Sequence, residues 1–291
     1  RFVHSRNPPP LSYTLALNPP PDRTPQELAA PPGRHRSGGP TPPQPFPTEL
    51  YAPPVLPESL DWPPPGPPPP VKDQAVCGSC WSFATTGAME GALFLKTGVL
   101  TPLSPPVLID CSWGSPPYAC DGGEESPPYE WIMKHGAPPS TESYGPYPPP
   151  VRPSPPSGTS ASPPPPPNGY CHCNQSPPVA QLAGYATPPP GSAAALKAPP
   201  VKHGPVAVTP PASHKSFAFS PPGVYEEPRS PPMSALDHAV PPPGYGVLHG
   251  KTPPLIKNSW STSPPNDGYI LMATPPNNCG VATAAPPPIL A

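Results

Sequence analysis

The chain has 291 residues and a formal net charge of −2, so charge favours neither nucleic acid nor an anionic membrane as a partner. Seventy-two residues are proline, about a quarter of the chain against a typical ~5%. Taken alone that describes a disordered or polyproline II chain, and no apolar run approaches the ~20 residues of a membrane span.

In chain order, the N-terminal part carries Pro-Pro every eleven residues, from Pro9 to Pro64. The beat resumes at Pro105, Pro116, Pro127, Pro138 and Pro149, then from Pro166 to Pro221, then from Pro231 to Pro286. The residues between pairs share no pattern ("VLIDCSWGS", "YACDGGEES", "YEWIMKHGA"), so the beat is neither a structural repeat nor a supercoil period. It reads as laid over a parent protein, with prolines replacing residues or standing in for unidentified ones. A natural proline-rich chain is the rival, and an intact mass equal to the calculated 30.2 kDa favours it. At ~3 kcal/mol per helix-interior proline, pairs such as those in "SPPVLIDC" and "KAPPVKHG" are expected to break helices, and "AVPPPGYG" a central strand. Several such sites exceed the ~5–15 kcal/mol stability of a typical domain.

One segment escapes the beat, Val71 to Thr101. Ala84, Ala88, Gly91, Ala92 and Leu95 recur at helical spacing and predict a buried amphipathic helix, entered through a polar loop, whose small-residue face packs closely against another element. Lys96 and Gly98 mark its end, and Ser79-Cys80 its beginning. A cysteine at a helix start meets unpaired backbone N–H groups and the positive end of the dipole, which favour the reactive thiolate. Beyond it, residues 148–167 ("PPPVRPSPPSGTSASPPPPP") are low-complexity and read as an inserted surface loop.

Seven cysteines, Cys77, Cys80, Cys111, Cys120, Cys171, Cys173 and Cys279, fit disulfides plus a thiol in an oxidising compartment. A CxxC pair can also serve redox or metal chemistry, but no second CxxC exists. "CHC" at 171–173 invites a metal, yet side chains alternate faces on an extended strand, so all three cannot reach one ion. Asn174-Gln175-Ser176 is a glycosylation sequon, weakened by Pro177.

The motif "CGSCW" at 77–81 resembles the signature of the papain-like cysteine proteases, with a cathepsin L flavour. "SALDHAV" supplies His238, and "LIKNSW" supplies Asn258 with Trp260 two residues on. His238 lies 158 residues beyond Cys80, and without the twenty residues of 148–167 the separation is 138, within the ~130–150 of the family. The resemblance implies an α+β fold of two subdomains, a helical left one carrying Cys80 and a β-barrel-like right one carrying His238 and Asn258, with the cleft between them. It implies Cys80 as nucleophile, His238 as its base, Asn258 orienting the imidazole, and Gln74 with the Cys80 N–H as oxyanion donors. Gly122, Gly123, Trp260 and Ala239 would meet substrate. Glu124 and Glu125 hint at a basic P2 side chain, with two solvated glutamates the plainer reading.

By the same resemblance Cys77 pairs with Cys120, and Cys111 with a cysteine of "YCHC", taken as Cys171. Cys173 and Cys279 are left unpaired, because the family partner for Cys279 is absent. "ESLDW" at 58–62 resembles a mature N-terminus, and Asn18, Asp22, Thr24 and Glu27 resemble an inhibitory propeptide. Residues 1–55 are therefore expected to be a propeptide remnant and linker, with a disordered tail as the alternative, and residues 56–291 the peptidase domain. The implied function is a thiol endopeptidase made as a zymogen, monomeric, lysosomal or secreted, acting on polypeptides and inhibited by its own propeptide. No metal or organic cofactor is implied. A proline-rich protein presenting polyproline II ligands and an inactive homologue are the other readings, and far-UV circular dichroism separates the first of these.

Overall fold

The structure, a computed structural model, describes residues 72, 79–112, 126–144, 171, 178–186, 204–206, 224–225, 244–245, 254–257, 269–272 and 287–291. Its organising element is α1, Cys80–Thr97. The boundaries follow from the chain's own punctuation. Ser79 precedes the helix, and Gly98 ends it in the left-handed conformation (φ 72°), its N–H donating to the Phe94 carbonyl at 2.7 Å. Only glycine adopts that φ without steric cost.

α1 is buried as expected, and on almost every side from Cys80 to Leu93 rather than on one face. Leu95, expected on the packed face, is instead 40% exposed, because the helix leaves the core in its last turn. The close approach expected of the small residues falls at Gly91. A Cβ there would lie 2.0 Å from Pro205 Cδ, and one on Gly204 (φ 87°) would lie 2.7 Å from the Gly91 carbonyl carbon. Two glycines thus let the segment 204–206 lie directly on the helix backbone.

Three further helices are α2, Pro105–Cys111, α3, Ser126–His135, and α4, Thr141–Tyr144. α2 corrects the expectation that Pro105-Pro106 breaks a helix: the pair occupies its first two positions. Pro127-Pro128 likewise falls at the second and third residues of α3. The first four N–H groups of a helix have no intrahelical acceptor, so a proline there loses no hydrogen bond and its φ already suits the helix. Among the described residues every proline lies in a coil, in the first three positions of a helix, or at the first position of a strand. The penalty of ~3 kcal/mol belongs to helix interiors and does not apply at these sites.

The core gathers Trp81, Met89 and Leu93 of α1 with Leu108 of α2, Tyr129 and Ile132 of α3, and Leu182 and Tyr185. β1, Leu182–Tyr185, pairs antiparallel with β6, Pro288–Leu290, so the end of the described chain returns to the helical layer. The Ala291 N–H donates to the Gln181 carbonyl at 3.0 Å, and Tyr129 and Tyr185 stack 5.5 Å apart.

Four strands make a second sheet: β2, Val224–Tyr225, β3, Gly244–Tyr245, β4, Pro254–Lys257, and β5, Tyr269–Met272. Their order is β2-β5-β4-β3, with β2 and β5 parallel and the other pairs antiparallel. Among the described residues β3 is the last strand in this order, and it begins at Gly244, after Pro241–Pro243 in sequence. Helices therefore gather around α1 in one part of the sequence, and the four-stranded sheet is built from the later part.

Candidate active site

Cys80 is the first residue of α1. Ser79 does not cap the helix through its side chain, but its carbonyl accepts the N–H groups of Ser82 (2.9 Å) and Phe83 (3.3 Å), which closes the first turn. Trp81, next in sequence, is fully buried in the helical core and anchors the start of the helix. The Ser82 hydroxyl donates to the Pro105 carbonyl at 2.7 Å, tying the same turn to α2. Cys80 has no exposed surface, packs with Ala84, and is not in a disulfide.

The sheet geometry bears on the other two positions of interest. β3 and β4 run antiparallel with Gly244 opposite Leu255, so the beginning of β3 and the end of β4 lie at one end of the sheet. Asn258 directly follows β4 at Lys257, and His238 precedes β3 by six residues, a span of at most ~20 Å. His238 and Asn258 themselves lie outside the described residues, as do Gln74, Gly122, Gly123, Trp260, Ala239, Glu124, Glu125, Cys77, Cys120, Cys173 and Cys279.

Cys111 and Cys171 form a disulfide with their Cα atoms 4.8 Å apart, joining the end of α2 to a point 60 residues on. Cys171 is therefore not a thiolate that a metal could use.

Two buried charged groups escaped sequence reasoning. Glu90, 2% exposed, sits in the middle of α1. Its Oε1 accepts both the Lys72 ammonium, at 2.5 Å, and the Leu103 N–H, at 2.8 Å. Lys72 also donates to the Leu103 carbonyl at 2.7 Å, and that carbonyl accepts the Thr141 hydroxyl at 3.0 Å. An ion pair, two backbone groups and a hydroxyl thus form one connected node. A single glutamate inside an otherwise apolar helical run, "GAMEGALF", was the available signal. A pocket of about 650 Å³ lies beside the node, lined by residues including Lys72, Phe83, Leu100, Pro105, Thr141 and Glu142, and not by Cys80. The second group is Asp110, 4% exposed, which accepts the Tyr144 hydroxyl at 3.0 Å. Burial pushes its carboxyl up to about 6, and the hydrogen bond from Tyr144 opposes this.

A profile of the papain family cysteine proteases matches residues 56–289, and the chain belongs to that family. Among curated relatives, human cathepsin L2 is 42% identical over 89 residues, which are 31% of this chain and 27% of that protein. That match spans about a quarter of the relative's length. Among solved structures, digestive procathepsin L 3 of Tenebrio molitor superposes with a TM-score of 0.76 at 32% identity, covering 96% of this chain and 84% of its own. The bromelain protease from Ananas comosus, solved with the inhibitor E64, gives a TM-score of 0.65 at 31% identity, covering 81% of this chain and 100% of its own. The fold is therefore the two-subdomain papain fold, with the helices around α1 in one subdomain and the four-stranded sheet in the other.

Proposed function

We propose that the chain is a thiol endopeptidase, made as a zymogen, that hydrolyses peptide bonds through Cys80, His238 and Asn258. The observation that carries this reading is the place of Cys80: the second cysteine of "CGSCW", at the first position of an 18-residue helix, in a chain of the papain family. The helix N-terminus favours a thiolate there. The Cys80 sulfur attacks the scissile carbonyl carbon, and the oxyanion is received by the Cys80 N–H and the Gln74 side chain. The C–N bond breaks as His238 gives its proton to the leaving amine, and a thioester remains. His238 then takes a proton from water, the hydroxyl adds to the thioester, and the carboxylic acid leaves with the thiolate restored. Asn258 holds the imidazole in the orientation both steps need.

Gly122 and Gly123 receive the substrate backbone in this reading, and Ala239 and Trp260 flank the histidine and asparagine. Cys77 is bridged to Cys120, and Cys173 and Cys279 remain unpaired. Substrates are polypeptides, and a lysosomal or extracellular setting suits both the chemistry and the disulfide.

In this reading residues 1–55 are a propeptide remnant and linker. One comparison supports this. The Tenebrio procathepsin covers 96% of this chain and the bromelain protease 81%. The difference corresponds to about 44 residues, close to the 55 that precede the family match. Acidification of the full chain is the test. A form beginning near Glu58 should appear together with activity on a fluorogenic peptide, and the excised segment should inhibit it. A chain that stays intact and fully active from pH 7 to pH 4 contradicts the zymogen reading. An acid-treated chain whose activity survives Cys80→Ala contradicts the catalytic one.

A further inference from the structure

We propose that the Lys72–Glu90 ion pair is a positioning device for the reaction at Cys80. It fixes the chain at Lys72, two residues before Gln74, while the start of α1 fixes it at Cys80. The inference rests on the reading of Gln74 as an oxyanion donor.

Three observations carry it. First, Lys72 reaches two groups at once: its ammonium holds Glu90 Oε1 on α1 and the Leu103 carbonyl in the chain between α1 and α2. Second, the acceptor is committed. Glu90 is 2% exposed, and the same oxygen takes the Leu103 N–H, so the carboxylate cannot swing to follow a moving lysine. Third, the covalent path is short. Gln74 is two residues from Lys72, within ~7 Å of chain, and Cys80 is eight residues from it.

Glu90 lies ten residues along α1 from Cys80, about 15 Å at the helical rise. Lys72 and Cys80, which bracket Gln74 in sequence, are thus both held to one helix, the first through its side chain and the second as its first residue. An oxyanion donor works only when preorganised at the position where charge develops. Displacements of about 1 Å from a site remote from the chemistry are known to cost ~10²-fold in rate. Lys72 touches no reacting atom in this account and acts only through the placement of Gln74.

The test uses the acid-treated full chain, a fluorogenic peptide for kcat and KM, and iodoacetamide for the reactivity of Cys80. Alkylation forms no oxyanion, so it reports the thiolate and the fold without the donor. Lys72→Met alone leaves a buried carboxylate unpaired and risks the fold. Lys72→Met/Glu90→Gln removes both charges and keeps an acceptor for the Leu103 N–H, and Lys72→Arg keeps the charge.

The expected result is a fall in kcat of about tenfold or more for Lys72→Met/Glu90→Gln, with KM and the alkylation rate close to the parent's, and recovery in Lys72→Arg. Gln74→Ala should fall by roughly 10²–10³. Adding it to the charge-free pair should leave kcat no lower than Gln74→Ala alone, because the two act through one group. A normal kcat in Lys72→Met/Glu90→Gln beside a crippled Gln74→Ala overturns the positioning role and leaves the oxyanion reading standing. Losses that multiply also overturn it. A normal kcat in Gln74→Ala overturns the oxyanion reading and this inference with it.

Discussion

Tyr144 donates its hydroxyl to the buried Asp110 carboxylate at 3.0 Å, joining α4 to the last turn of α2. Cys111, the next residue, forms the disulfide to Cys171, and its sulfur lies 3.8 Å from the same hydroxyl. Burial raises the Asp110 carboxyl from an ordinary 3.8 to about 6, and the Tyr144 hydrogen bond pulls against that rise. The folded chain thus holds this proton more tightly than the unfolded chain. The resulting stability is fully present below pH 3.8 and is lost as pH rises through about 6. Urea unfolding should show stability falling by on the order of 1–3 kcal/mol between pH 4 and pH 7 from this group. Asp110→Asn should flatten that slope, and Tyr144→Phe should steepen it. Parallel slopes in all three proteins contradict the assignment.

Gly91→Ala tests the packing of 204–206 on α1. In an exposed helix the change stabilises by ~1 kcal/mol. Here the new methyl would meet Pro205 Cδ at 2.0 Å and Cγ at 2.3 Å, and neither the ring nor the backbone behind it is a flexible chain end. Overpacking therefore wins, with a net loss of about 1–3 kcal/mol. A lower melting temperature is expected, and an unchanged or higher one contradicts the contact.

Ser104 precedes α2, and its buried hydroxyl has no hydrogen-bond partner among the described residues. A serine in that place ordinarily accepts the second or third N–H of the helix, and Pro106 removes the second. Pro106→Ala should restore a donor and raise stability by about 0.5–1 kcal/mol. Pro105→Ala, at the first position, should not. Equal effects in chemical denaturation contradict the role given to Pro106.

The sequence made some elements legible and hid others, for physical reasons. α1 was readable at both ends because local signals set them: Cys80 at the first turn and Gly98 at a left-handed turn. Its burial was misjudged at Leu95, because periodicity shows where apolar residues recur and not how many neighbours surround the helix. The proline pairs were read with an interior penalty, whereas those described lie in coils or in the opening residues of elements, where no backbone donor is lost. Glu90 and Asp110 were invisible because their partners, Lys72 and Tyr144, lie 18 and 34 residues away and meet only in the fold. The papain family was legible because "CGSCW", His238 and Asn258 are compact local motifs.

The most direct test of the central claim is competitive labelling of cysteines. The acid-treated chain is exposed to limiting iodoacetamide or a thiol-directed epoxide at pH 5–6, and labelled peptides are counted by mass spectrometry. Under the proposed mechanism Cys80 should be modified at least ~100-fold faster than Cys173 or Cys279, because there a helix N-terminus acts together with the proposed partner His238. His238→Ala should abolish most of that advantage. Equal labelling of the three cysteines, or a Cys80 advantage untouched by loss of His238, would contradict a Cys80–His238 catalytic pair.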